Sequence, residues 1–123
     1  MNVEPLSPVP LTPIALSLFK MRQALLAIRD ETDHDFSLLS VLILLYIASR
    51  PGCTAQDILM ALDTPKATIS RNLMYMLDHR REGQGKGYNF IDMVEDRSDR
   101  RRKEIFLTAT GQKLVNKLAE IVT

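Results

Sequence analysis

Two helix-start signals stand only ten residues apart in this chain, and that spacing limits the fold more than any other feature of the sequence. Thr54 is followed three residues later by Asp57, a capping-box pattern with Asp in the place of Glu. Thr64-Pro65 then supplies an N-cap threonine with proline at the first helical position. The interval leaves room for one short helix, Ala55 to Leu62, which would bury Ile58, Leu59 and Leu62. A second helix is expected from Pro65 to His79, with Ile69, Leu73, Met76 and Leu77 turned inward. Two helices joined by a tight link around Asp63 form a helix-turn-helix pattern.

The flanking segments extend that unit. Pro5, Pro8 and Pro10 remove N–H donors and restrict their predecessors, so residues 1–12 read as an extended arm. Thr12-Pro13 repeats the start signal, and Ile14, Leu18, Met21, Leu25 and Ile28 recur at helical steps. A second row, Ala15, Phe19, Arg22 and Leu26, widens the apolar face, which suits a helix buried against both its own domain and a partner. After a charged break at Asp30 to Asp35, Phe36 to Ser49 is nearly all apolar and belongs in the core, and Arg50-Pro51-Gly52 stops it.

Beyond the second helix of the pair, Arg81 to Gly87 carries Gly83, Gly85 and Gly87 and reads as a loop. Tyr88 to Glu95 and Lys103 to Leu107 read as two strands around a charged tip, Asp96 to Arg102, which makes a wing. Thr108 to Val122 closes the chain as a helix burying Leu114, Val115, Leu118, Ile121 and Val122. The expected fold is mainly α with a small β-hairpin wing, a winged helix-turn-helix, with residues 13–123 in one domain.

Composition excludes several classes of function. The longest apolar stretch, Val41 to Ala48, falls short of the roughly 18 residues a membrane span needs. Residues 1–13 lack the basic and apolar regions of a signal peptide, so a cytoplasmic location is expected. Cys53 is the only cysteine, and His34 and His79 are the only histidines, too few for a disulfide framework or a zinc site. No glycine-rich phosphate loop, catalytic triad or metal cluster appears, so neither an enzyme nor a cofactor is expected. Charge is unevenly spread. Residues 1–65 carry net −3 and residues 66–123 net +4, which makes the second half the candidate face for a polyanion.

On the helix after Thr64, the outer face presents Lys66, Ala67, Ser70, Arg71 and Met74, with Thr68 beside it. Short side chains with two cations suit a helix lying close in a major groove, where Arg71 could fork onto a guanine edge or clamp a phosphate. A solvated polar face would have the same composition. The wing tip reads Asp96-Arg97-Ser98-Asp99-Arg100-Arg101-Arg102-Lys103. Arginines on a hairpin tip can enter the narrow minor groove, and the interleaved Asp96 and Asp99 are explained as orienting partners for them. The alternative is a solvated charge run.

The series Ser70-Arg71, Leu77, Phe90-Ile91, Asp99-Arg100-Arg101, Lys103, Leu107-Thr108 and Gly111 resembles the MarR family of winged-helix regulators, over roughly Phe36 to Gly111. The resemblance implies a homodimer that binds pseudo-palindromic double-stranded DNA and regulates transcription, as a repressor or an activator. It places the recognition helix at Thr64 to Met76, the minor-groove arginine at Arg100 or Arg101, and Asp99 as the brace of the wing. Residues 36–107 would be the DNA-binding unit, and the helices in 13–33 and 108–123 the dimer interface, through Ile14, Leu18, Met21, Leu25, Leu114, Leu118 and Ile121. Many relatives also hold a small-molecule effector between these parts. The chain departs from the family in a longer segment from Asp78 to Asn89, which either lengthens the helix or adds a contact through Arg80, Arg81 and Lys86, in Met93 where Arg is frequent, and in a shorter C-terminal helix.

Other readings compete. A winged helix can serve as a protein-binding adaptor or inhibitor, and a compact one as a replication or maintenance module of a phage or plasmid. Cys53 beside Arg50 could sense oxidation, but without a second cysteine a structural role is expected. His34 between acids does not make a metal site, His79 reads as a solvated helix end as readily as a phosphate contact, and Met60 and Met76 are expected to fill core gaps.

Overall fold

The structure, a computed structural model, describes residues 12–33, 36–78 and 87–123. The arm up to residue 11, His34, His79, Gly83, Gly85 and the three added cations Arg80, Arg81 and Lys86 lie outside the described residues. The element order is α1 (Pro13–Glu31), α2 (Leu38–Ser49), α3 (Ala55–Leu62), α4 (Lys66–Met76), β1 (Ile91–Glu95), β2 (Lys103–Leu107) and α5 (Ala109–Val122).

Local side-chain chemistry starts four of the helices. Thr12, Ser37, Thr54 and Thr108 each accept a backbone N–H from the first turn that follows, satisfying a donor that has no intrahelical partner. α4 departs from this pattern. Its N-cap is Pro65, in extended conformation, and no side chain caps it. Thr64 lies one residue before the cap position, and its hydroxyl turns back to donate to the Leu62 carbonyl at 2.9 Å. The tight link is made by Asp63 in the left-handed region (φ 47°), where a short polar side chain is tolerated.

α4 also ends earlier than its apolar pattern suggests, at Met76. The N–H groups of Tyr88, Asn89 and Phe90 donate to the carbonyls of Tyr75, Leu77 and Met76 at 2.9, 3.3 and 2.8 Å. The returning chain therefore takes the last helical acceptors, and residues 88–90 are not strand as their side chains led us to expect. β1 begins at Ile91 and pairs antiparallel with β2, Ile91 opposite Leu107 and Glu95 opposite Lys103.

The core gathers Ile43, Leu44 and Ile47 of α2, Ile58 of α3, Ile69 and Met76 of α4, Ile91 and Ile105 of the hairpin, all fully buried. Leu114 and Leu118 of α5 join this core at 4% and 6% exposure. They face inward, so they do not form the partner-facing surface expected of them. Periodicity identified their shared face but not what covers it. Met60 is another correction. It sits on the outer side of α3, 70% exposed, whereas Met76 fills the core as expected.

α1 packs along α5, yet only Ala27 and Ile28 of its 19 residues are buried. Ile14, Leu18, Met21 and Leu25 remain 75%, 59%, 57% and 46% exposed. Among the described residues, no helix is long and apolar enough to cross a membrane.

Candidate nucleic-acid interface

The wing is held by backbone, not by its charged tip. Gly52 N–H donates to Ile105 O, and Ile105 N–H to Cys53 O, both at 2.8 Å, so the α2–α3 link lies along β2 like a short third strand. Gly52 adopts φ 87°, a region L side chains rarely enter, and this turn lets the chain pass close under the Phe106 ring. Because α3 starts directly after Cys53, the same stitching sets the start of α3 beside the hairpin.

Between these parts runs an open groove of about 550 Å³. Lys66 and Ser70 of α4 line one wall, residues 54–57 at the head of α3 the floor, and Met93, Asp99, Arg101, Arg102 and Lys103 the wing side. Four cations face two carboxylates there, Asp57 and Asp99. The surplus positive charge in a concave surface favours a polyanion. Thr68 is half-buried at the margin of the outer α4 face, and Ala67 and Arg71 are exposed. Arg97 and Arg100 are exposed on the tip and do not line the groove.

Local hydrogen bonds shape the tip. Asp99 Oδ1 accepts the Arg101 N–H at 3.0 Å and lies 3.7 Å from Arg101 Nε. The pair is solvated, so its value is orientation more than stability. Asp96 has a different role from the one expected. Its Oδ1 accepts from the N–H and hydroxyl of Ser98, at 2.9 and 2.7 Å, and its hydrogen bond to an arginine is made by backbone, Asp96 N–H to Arg102 O at 2.9 Å. The Ser98 N–H and hydroxyl hold the Asp96 carboxyl below the usual carboxylate range.

Asp57 is likewise held low, first by the Thr54 N–H that it accepts and further by the nearby Arg102 and Arg50 charges. Cys53 goes the other way. Burial, then the Asp57 carboxylate, push its thiol up. A sensing thiol needs the opposite environment, cationic and accessible, so the structural reading of Cys53 holds. Among the described residues no cluster of His, Cys, Asp and Glu could hold a metal ion.

Sequence reasoning did not single out Gln56, which lines the groove, or Ser40 and Asn72, which tie α4 to α2. The available signal was a serine within an otherwise apolar helix.

α2, α3, α4 and the β1–β2 hairpin together are a winged helix-turn-helix. Solved structures confirm the class. The chain is similar to MepR of S. aureus in its DNA complex, at 25% identity and TM-score 0.66, covering 88% of this chain and 80% of that one. It is similar to MarR at 22% identity and TM-score 0.60, covering 89% and 75%, and to the regulator Tm0710 of Thermotoga maritima at 16% and 0.65, covering 85% and 66%. No family profile and no curated protein sequence matches the chain. The protein is thus a winged-helix protein whose fold is similar to those of MarR, MepR and the transcriptional regulator Tm0710.

Proposed function

We propose that this chain is a sequence-specific, double-stranded-DNA-binding transcriptional regulator that acts as a homodimer. α4 enters the major groove with Thr64, Lys66, Ala67, Thr68, Ser70 and Arg71 on or beside the contacting face. The wing reaches the adjacent minor groove through Arg97, Arg100, Arg101 and Arg102, with Asp99 bracing it. The observation that carries this reading is the shared groove: Lys66 and Ser70 of α4 line the same concave, net-positive surface as Arg101 and Arg102 of the wing. Two solved MepR structures of the same fold, at 25% and 26% identity, carry DNA.

The homodimer reading rests on α1. Ile14, Leu18, Met21 and Leu25 make an exposed apolar row on a helix with two buried residues, and Val122 of α5 adds to it at 55% exposure. A second copy covering this face removes the row from water. Ile121 is half-buried where α5 meets α1, beside Phe19 and Leu26. An apolar cleft of about 490 Å³ between α1, α2 and α5, with Lys20 among its lining residues, is where an effector would bind. Dimer-forming helices at residues 13–33 and 108–123 would then flank a DNA-binding unit at 36–107.

Selection of bound duplexes from a random pool, followed by footprinting, tests the reading. The expected result is a pseudo-palindromic site whose half-sites lie about one helical turn, roughly 34–36 Å, apart. Failure to enrich any duplex overturns it.

A further inference from the structure

Among the described residues only two polar side chains are buried, Ser40 at 3% and Thr54 at 9%. Thr54 caps α3. Ser40 caps nothing. It lies in the first turn of α2, where Ser37 caps its N–H, and its hydroxyl donates to Asn72 Oδ1 on α4 at 2.6 Å. Asn72 Nδ2 in turn donates to the Thr68 carbonyl at 2.8 Å, so the amide is held at both ends and its orientation is fixed. Ser37 Oγ stands 3.1 Å from Ser40 Oγ. A serine hydroxyl has one hydrogen, and that of Ser40 goes to Asn72, so Ser37 is the donor of this third bond. A directed chain therefore runs from the N-cap of α2 through Ser40 and Asn72 to the backbone of α4's first turn.

Apolar contacts around this chain, from Ile43, Leu44 and Ile47 to Ile69, Leu73 and Met76, are non-directional. They hold α4 against α2 but tolerate small rotations and slides of one helix on the other. A directional hydrogen bond of 2.6 Å does not, because a slide of one helix on the other stretches and misaligns the Ser40–Asn72 contact. Asn72 follows Arg71 directly, and Thr68 lies at the margin of the outer face. The seat of Asn72 thus sets the angle at which Lys66, Ser70 and Arg71 leave the helix, relative to a wing fixed independently through Cys53 and Ile105. From this we infer that Ser40 and Asn72 are a positioning pair for base readout: they fix the rotation and axial seat of α4, and so determine how well the protein tells its own duplex from others. This rests on the reading that α4 enters a DNA groove.

The test compares affinity for the selected duplex with affinity for a scrambled one, at fixed salt, alongside thermal unfolding. The informative variant is Ser40→Ala/Asn72→Leu, because replacing both partners with apolar groups leaves no orphaned polar atom and keeps the fold. The expected result is a selected-to-scrambled ratio lowered about tenfold, the scale of one lost base contact, while affinity for the scrambled duplex stays within about twofold. Ser40→Thr, which retains the hydroxyl, should keep the ratio near that of the original chain. Ser40→Cys, near-isosteric with a weak donor, should fall between and supplies the test if the double variant does not fold. A folded double variant, or failing that a folded Ser40→Cys variant, with an unchanged ratio overturns the positioning role. If the original chain prefers no duplex, the proposed function fails first, a result visible before any variant is made, and the positioning role fails with it.

Discussion

Thr54 and Asp57 close on each other at the head of α3: the Thr54 N–H donates to Asp57 Oδ2 at 2.9 Å, and the Asp57 N–H donates to Thr54 Oγ1 at 3.2 Å. Both residues also line the groove between α4 and the wing. Removing the threonine hydroxyl frees an N–H at a helix start. Thr54→Ala should lose about 1 kcal/mol, within the 0.5–2 kcal/mol usual for such caps, as a lower urea midpoint with an unchanged slope.

The same pair predicts an acid-sensitive contribution. Asp57 titrates lower in the folded chain than in the unfolded one, because it accepts the Thr54 N–H and stands near Arg102 and Arg50. Its stabilising effect is therefore complete above the ordinary carboxylate range and is lost as pH falls through the folded value. In urea titrations from neutral pH downward, Asp57→Asn should be less stable than the original chain at neutral pH. The two curves should converge below the usual carboxylate range. A constant gap at all pH values contradicts the assignment.

Gly111 supplies a third prediction, opposite in sign to helix propensity. It sits in the first turn of α5, where alanine is normally favoured. A Cβ built there meets the Phe90 carbonyl oxygen at 2.1 Å, and that oxygen already accepts the Thr108 N–H at 3.0 Å. Backbone cannot swing aside as a side chain can. Gly111→Ala should destabilise by about 1–3 kcal/mol or more, read as a drop in melting temperature.

Much of this was legible in the sequence for a physical reason: capping is local. Thr12, Thr54 and Thr108 bond to backbone within three residues, so their helices began where side-chain chemistry placed them. Outcomes that depend on distant partners were not legible. Residues 88–90 alternate as a strand would, yet their N–H groups go to the end of α4. Thr64 fits an N-cap by type, but its hydroxyl turns back to Leu62. Leu18 and Leu118 show the same periodicity, yet one is 59% exposed and the other 6%. Of the groove, the charged residues could be read from the chain, whereas its floor and the Ser40–Asn72 link required the packing of α2, α3 and α4.

The exposed row on α1 leads to a prediction about assembly. Leu18→Glu/Met21→Glu places two charges on a face that touches little within the chain. Sedimentation should change from a dimer to a monomer, with far-UV helical signal retained at the same concentration. A monomeric original chain contradicts the proposed interface.

The central claim is that α4 and the wing address one duplex from the same side of the molecule. Groove-specific footprinting on a selected duplex tests it most directly, comparing the original chain with Arg100→Ala/Arg101→Ala. Major-groove protection at each half-site should persist in the variant, weakened but in register, while the flanking minor-groove protection disappears. Identical minor-groove protection by both proteins, or none by the original chain, contradicts the claim.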